Sequence, residues 1–431
     1  MSTILYWIKR FLPRRILNRL RPPYHLALSY LGNVLYRNPS REITVIAVTG
    51  TKGKSTVTEL IATILEADGN KVASLSTIQF KIANDVRRNL YKMTTPGRFF
   101  VQKFLRKAVD AGCTYAVLEM TSEGARQFRH RFINLDALVF TNLTPEHIES
   151  HGSFDAYKAA KLSIAKQLEE SGKQPRYIVA NVDDEHGADF LKFNVEERLP
   201  YQLSDLKLYT LHRDGIGLIF QSGEEEMTIR VPIVGLFNVY NTLAAITITR
   251  ALGVSLQTAE KALRQLAPIK GRVEHFMSPK EAKKHVIAVV DYAHTPDSLE
   301  KLYQAFKDQP KICILGNTGG GRDTWKRPEM ASIAERYCDR VILTNEDPYD
   351  ENPRKIVDEM AKGIKDQSKL DIIMDRRLAI RTAFKEVPEG GYVLISGKGT
   401  DPYIMGPNNT KQPWSDAEVV QKELAALALE D

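Results

Sequence analysis

Residues 47–56 of this 431-residue chain read Ala-Val-Thr-Gly-Thr-Lys-Gly-Lys-Ser-Thr. A glycine-rich turn ending in a lysine and two hydroxyls suits one kind of ligand, a chain of phosphates. Backbone N–H groups of the turn Gly50, Thr51, Lys52, Gly53 can converge on an anion, and a helix that starts there adds its dipole. Lys54 supplies positive charge, and the hydroxyl of Ser55 or Thr56 can reach a Mg²⁺ carried by the phosphates. Val48 stands where the common phosphate-loop pattern has its first glycine, so this pattern is a shifted one. Two other stretches could complete the chemistry. Glu119 ends an apolar run in Leu-Glu-Met-Thr-Ser, where a carboxylate can ligate a hard cation opposite the loop. Residues 141–152 read Thr-Asn-Leu-Thr-Pro-Glu-His-Ile-Glu-Ser-His-Gly, and Tyr157-Lys158-Ala159-Ala160-Lys161 follows.

These groups need elements that bring them together. Ile43–Val48 is apolar and β-branched like a buried parallel strand, and Val57, Leu60, Ile61, Ile64 and Leu65 repeat at helical spacing up to Gly69. Short apolar runs at 115–118, 137–140 and 177–180 alternate with amphipathic stretches at 99–111 and 154–168. That alternation predicts an α/β fold with a largely parallel sheet, whose ligands sit at the C-terminal strand edge. Thr49, Glu119 and Asn142 each follow an apolar run, which puts them there. Residues 201–231 read as antiparallel strands at the side of this domain, and 237–252 as a helix. A second α/β pattern has strands near 287–290, 312–315, 341–344 and 393–395. The expected division is 1–41, 42–268 and 269–431.

Together, Thr-Gly-Thr-x-Gly-Lys-Ser-Thr, Thr-Asn-Leu, Glu-His-Ile-Glu and Ala-Ala-Lys resemble the Mur ligase family of ATP-dependent amide-forming enzymes. The resemblance runs from Ile43 to Ser415. It implies a P-loop-type central domain with a mostly parallel sheet, a Rossmann-like C-terminal domain and, in front, a short helical segment. It implies ATP and Mg²⁺, with Lys54, Glu119, His147 and Lys161 as catalytic residues. Ser55, Glu119, His147 and a carbamylated Lys161 would hold metal. Asn238 and Asn241 would lie on the adenine side, and Arg272, Asp291 and His294 would contact ATP from the C-terminal domain.

Thr94-Thr95-Pro96, Asp291–Glu300 and Gly319-Gly320-Gly321-Arg322-Asp323 resemble the branch that adds a diamino acid to UDP-MurNAc-L-Ala-D-Glu through an acyl phosphate. Thr94, Thr95, Arg322, Asp347, Tyr349, Gly397 and Asp401 are the substrate residues this implies. The folylpolyglutamate branch fits less well. Glu346-Asp347-Pro348-Tyr349 replaces that branch's Asp-Asn-Pro-Arg, losing the guanidinium fork that would grip a second carboxylate. Gly-Lys-Gly-Thr-Asp at 397–401 replaces Gly-Lys-Gly-His-Glu. The amino acid added is left open between lysine, diaminopimelate and another amine. Relatives carry a UDP-binding domain in front, whereas about forty residues precede Ile43 here; a UDP-linked acceptor and a lipid-linked or other polymer acceptor are both open. A nucleotide-gated membrane scaffold without ligase activity is the reading from another class, and the full set of motif residues argues against it.

The net charge is +7, but eight basic residues and no acid fall in 1–41, which leaves the rest at −1. The pI of about 9.0 therefore belongs to that segment and does not indicate a nucleic-acid partner. Its arginines are mixed with Trp7, Phe11, Leu12, Leu17 and Leu20, and Pro13, Pro22 and Pro23 divide it. Helices lying on an anionic membrane surface and helices packed on the enzyme fit equally. The expected protein is a cytoplasmic monomer, with contact at the inner membrane face in the first of those readings. Cys113, Cys313 and Cys338 lack metal-ligand spacing and read as buried thiols in a reducing compartment.

Overall fold

A computed structural model describes residues 14–91, 93–146, 148–222, 225–321, 323–427 and 429. The chain divides into two compact units, one running to Asp205 and resuming over Tyr240–Ala262, the other comprising Leu206–Val239 and Leu263–Asp431.

In the first unit helix α1 (Arg14–Leu35) leads into strand β1 (Thr44–Thr49). Five of the six β1 residues are buried, as their β-branched, two-sided apolar character requires. The phosphate-type turn then opens helix α2 (Lys54–Ala67), which buries Val57, Leu60, Ile61, Ile64 and Leu65. Each such side chain contributes roughly 1.5–3 kcal/mol by leaving water. Strands β2 (Val72–Leu75), β3 (Gln79–Ile82) and β4 (Asp85–Arg88) form an antiparallel extension at one edge. Helix α3 (Arg98–Asp110), β5 (Tyr115–Glu119), β6 (Ala137–Phe140), helix α4 (Phe154–Glu169), β7 (Tyr177–Asn181) and β8 (Glu197–Tyr201) complete the sheet.

Its order is β4-β3-β2-β5-β1-β6-β7-β8, parallel from β2 onward. Register pairs Val48 with Glu119 and Thr49 with Phe140. The turn after β1 is therefore flanked by the ends of β5 and β6, the crevice that open parallel sheets offer a ligand. At the opposite edge the Asp136 carboxylate accepts from Val45 N and Lys173 Nζ, both at 2.6 Å, and fixes the start of β1.

The second unit holds a ribbon of β9 (Leu208–Leu211), β10 (Ile216–Ser222) and β11 (Glu225–Val231), antiparallel as the alternation predicts. It groups with this unit rather than with the first domain, beside which the sequence reading put it. The six-stranded sheet runs β12 (Glu274–Met277), β13 (Ile287–Val290), β17 (Tyr392–Ile395), β14 (Lys311–Leu315), β15 (Arg340–Leu343), β16 (Leu370–Ile372), parallel except at β12.

Two expectations fail. Cys313 and Cys338 are joined in a buried disulfide, and Cys113 alone remains a buried thiol. Cys313 lies within β14 and Cys338 ends the helix that leads back to β15, so the β–helix–β return brings their Cα atoms to 6.1 Å across 25 residues. Nothing local in the sequence records that approach. Second, Pro22 and Pro23 lie inside α1 instead of breaking it. Each proline removes one i→i−4 bond, while the later turns of α1 pack on α3 and hold the helix. Residues 1–13 lie outside the described residues. No described helix is long and apolar enough to cross a membrane.

Candidate active site

The turn between β1 and α2 is shaped by what surrounds it. Gly50 and Gly53 adopt φ of 147° and 83°, a region L side chains rarely enter. A Cβ on Gly50 would fall 1.9 Å from Thr141 Oγ1, and one on Gly53 would fall 2.2 Å from Asn241 Oδ1. The loop is thus clasped by the end of β6 and by Asn241, and no side chain fits between. Asn142 Oδ1 accepts from Lys52 N at 2.9 Å, its amide donates to Lys52 O, and Thr141 Oγ1 donates to the same carbonyl at 2.7 Å. Thr-Asn-Leu therefore acts as a brace on the loop. Lys52 reaches Glu146 at 2.9 Å, Lys54 Nζ donates to Thr51 O at 2.7 Å, and Thr56 is buried at the head of α2.

Glu119 is buried and its Oε2 accepts from Ser55 Oγ at 2.8 Å. Thr77 holds the same carboxylate through its backbone N–H at 2.8 Å and its hydroxyl at 3.1 Å, and Thr94 lies 2.7 Å from that hydroxyl. This set of a hydroxyl and a carboxylate beside a phosphate-type loop provides the hard oxygen donors that Mg²⁺ takes. Thr95 is buried with its carbonyl and hydroxyl both facing Arg129 Nη1.

Lys161, on α4, is 1% exposed and donates to Gly50 O at 2.6 Å. Burial, reinforced by nearby Lys54, pushes its ammonium pKa well below the ordinary lysine value. Its Nζ sits 4.7 Å over the Tyr157 ring, and the Tyr157 hydroxyl is 2.9 Å from Thr51 Oγ1. Of the predicted trio, Lys161 meets the loop at Gly50 and Glu119 meets the start of α2 at Ser55; His147 lies outside the described residues. Sequence reasoning missed Thr77 and Tyr157. Tyr157 shares a helix face with Lys161 at i, i+4, which is a usable signal, whereas nothing local marked Thr77.

The second unit has a cluster of its own. Lys398 is fully buried and donates to Asp347 at 2.8 Å, Asp401 at 3.1 Å and Tyr403 O at 2.5 Å. Met405 N also donates to Asp347 Oδ1, at 2.8 Å. Glu346 accepts from Thr318 through Oε1, while its buried Oε2, beside Gly397, has no hydrogen-bond partner among the described residues. Burial and the adjacent Asp347 push the Glu346 carboxyl upward from its usual value. Glu346 is the residue the sequence reading named in its motif and left out of the site. Tyr349 is held through its backbone N–H by Met405 O at 3.0 Å, with φ of 51°. Arg322 lies outside the described residues. Nearby Arg327 is a structural cation, buried between Glu351 and Glu359 at 2.9 and 2.6 Å.

Of the remaining predicted contacts, Arg272 stacks over the Tyr292 ring at 4.7 Å, and His294 packs edge-on to that ring at 4.7 Å. Asp291 accepts from Val273 N and Ala293 N at 2.8 and 2.7 Å. Asn238 is buried and donates to Val234 O at 2.8 Å.

Comparison with known proteins gives the family. Residues 48–249 match the Mur ligase middle domain, and 255–399 match the Mur ligase glutamate ligase domain. The UDP-N-acetylmuramyl-tripeptide synthetase of Roseiflexus sp. is 36% identical over 428 residues, covering 94% of this chain and 83% of the relative. The UDP-N-acetylmuramoyl-L-alanyl-D-glutamate–2,6-diaminopimelate ligase of Syntrophomonas wolfei is 33% identical over 395 residues, covering 89% and 78%. A solved structure of a ligase of that name superposes with a TM-score of 0.61 at 29% identity, covering 89% of this chain and 78% of the other. With both domain models matched in chain order and relatives 33% and 36% identical over most of its length, the chain belongs to the Mur ligase family of ATP-dependent ligases.

Proposed function

We propose that this chain joins an amino acid to UDP-N-acetylmuramoyl-L-alanyl-D-glutamate, the acceptor recorded in the names of the diaminopimelate ligases it resembles. The observation that carries the reading is the convergence of Ser55, Glu119 and Lys161 on one glycine-clasped loop. Loop N–H groups and Lys54 hold the β- and γ-phosphates of ATP. The acceptor carboxylate attacks the γ-phosphorus, the bond to the bridging oxygen breaks, and ADP leaves an acyl phosphate. The amine nitrogen then attacks the acyl carbon, phosphate departs with its oxygen, and the nitrogen loses a proton. Phosphoryl transfer of this kind is mostly positioning and charge stabilisation. Mg²⁺ bound at Ser55 and Glu119 would neutralise phosphate charge.

Lys161 fits a carbamate. Its burial favours the neutral amine, and only a neutral amine adds CO₂, releasing one proton and leaving an N–H to donate to Gly50 O. The product puts an anionic oxygen ligand where the amine stood, beside the phosphates. In the second unit, Glu346, Asp347 and Asp401 take the amino acid's ammonium, with Tyr349 in place of a guanidinium that would select a second carboxylate.

Lys161→Ala tests both halves of this reading. Phosphate release with UDP-MurNAc-dipeptide, ATP and a panel of amino acids should fall about 100-fold and recover in part with short carboxylic acids. Full activity of the variant without rescue removes the carbamate. Failure of the wild-type protein to release phosphate with any amino acid in the panel removes the acceptor assignment.

A further inference from the structure

Helix α1 has two faces of different character. On one, Ser29 is buried and donates to Phe128 O at 2.8 Å, Gly32 lies against Phe99, and Asn33 is buried. On the other, Tyr24, Leu31, Val34 and Leu35 are 43–65% exposed, at spacings that make one helical stripe. A second apolar set, Val86 on β4 and Leu90, Tyr91 and Met93 just after it, is similarly exposed. The two sets flank the start of α3, because Phe99 meets Gly32 while the next residue, Phe100, packs its ring 5.8 Å from Tyr91.

Charge decides what such a face fits. Residues 1–41 hold eight cations and no anion, and Arg37 and Arg41 are exposed just beyond the stripe. Arg88 adds an exposed guanidinium group on the hairpin, as does Arg87, which is paired with Asp85 at 2.8 Å. A two-fold dimer through this face would set like charges against each other. An anionic lipid surface instead accepts both components, headgroups pairing with the cations while apolar side chains and tyrosine rings enter the boundary region. We infer that α1 and the β3–β4 hairpin form a peripheral docking face for anionic membranes. The ligase assignment is not needed for this, and no described helix is long and apolar enough to make the contact a membrane span.

The test is co-sedimentation of the full chain with vesicles of phosphatidylglycerol and phosphatidylcholine in equal parts, against phosphatidylcholine alone. Binding is expected to the anionic vesicles, weakening as salt screens it. The combined variant Leu31→Ser, Val34→Ser, Leu35→Ser should lower the bound fraction about tenfold with an unchanged thermal transition, since those side chains touch water already. Arg37→Glu with Arg41→Glu should do the same through charge. No binding, equal binding to neutral vesicles, or full binding by the serine variant overturns the proposal. So does a dimer in light scattering that the serine changes dissolve, because the face would then belong to a second copy of the chain.

Discussion

Two buried charge clusters, one in each unit, are built from opposite materials. Around the loop after β1 the charged groups are Lys52, Lys54 and Lys161 against Glu119 and Glu146, with glycine backbone between them. In the second unit Glu346, Asp347 and Asp401 surround Lys398. The first arrangement suits an anion and the second an ammonium group. Burial acts on both and shifts opposite partners: the amine of Lys161 is pushed down, and the carboxyl of Glu346 is pushed up. In each cluster burial drives one charged group toward neutrality. A neutral Lys161 can be modified, whereas a carboxyl whose Oε2 lacks a partner among the described residues is poised to accept a donor.

The sharpest way to break the contrast is to remove the anion site alone. Lys54→Ala should lower kcat by about 10³-fold, read as ADP release, because charge stabilisation at transferring phosphate is the largest single contribution. Turnover near that of the wild type would end the nucleotide assignment. Glu119→Gln is milder. It keeps acceptance from Ser55 and Thr77 through its oxygen but loses the anionic ligand, so half-saturating Mg²⁺ should rise about tenfold and kcat fall about 100-fold. An unchanged Mg²⁺ titration would free Glu119 from any metal role.

The reciprocal change belongs to the other cluster. Asp401→Asn leaves Lys398 paired with Asp347, so the fold should hold. The KM for the amino acid should rise about tenfold, on the order of 1.4 kcal/mol, while that for ATP stays put. A joint rise in both constants would mean that the two clusters do not serve separate ligands.

The two clusters also differed in how far sequence reached them. The loop and Glu119 stood out by local rules, a glycine turn, a helix start and a strand end, whereas Lys161, in the middle of α4, stood out only through the resemblance of its motif to a family. Their mutual contacts follow from parallel register, since Val48 opposite Glu119 puts Ser55 within reach of that carboxylate. Thr77 was not legible. It comes from the β2–β3 connection, whose short strands carry little apolar periodicity, and its role exists only because β5 lies beside β2. The Cys313–Cys338 bond was hidden for a similar reason, depending on where a helix of twelve residues returns the chain. Glu346 was visible as a residue, but its burial, which gives it a role, comes from the packing of Gly397 and Thr318 against it.

Glu346→Gln gives the finest discrimination, because stability and binding should move in opposite directions. A carboxyl whose folded pKa lies above its unfolded value of 4.5 holds its proton longer in the native state. Ionisation therefore favours the unfolded chain as pH rises from about 4.5 through the folded pKa, and the native state loses stability across that window. The neutral amide removes that loss and still accepts from Thr318. The variant's thermal transition should sit on the order of a few degrees above the wild type at pH 7, and the gap should close on acidification below 4.5. Its KM for the amino acid should rise a few-fold, since the side chain no longer offers negative charge to an ammonium. A variant less stable than wild type at neutral pH would mean that Glu346 is ionised there and paired, which removes the reason to place an incoming amine beside it.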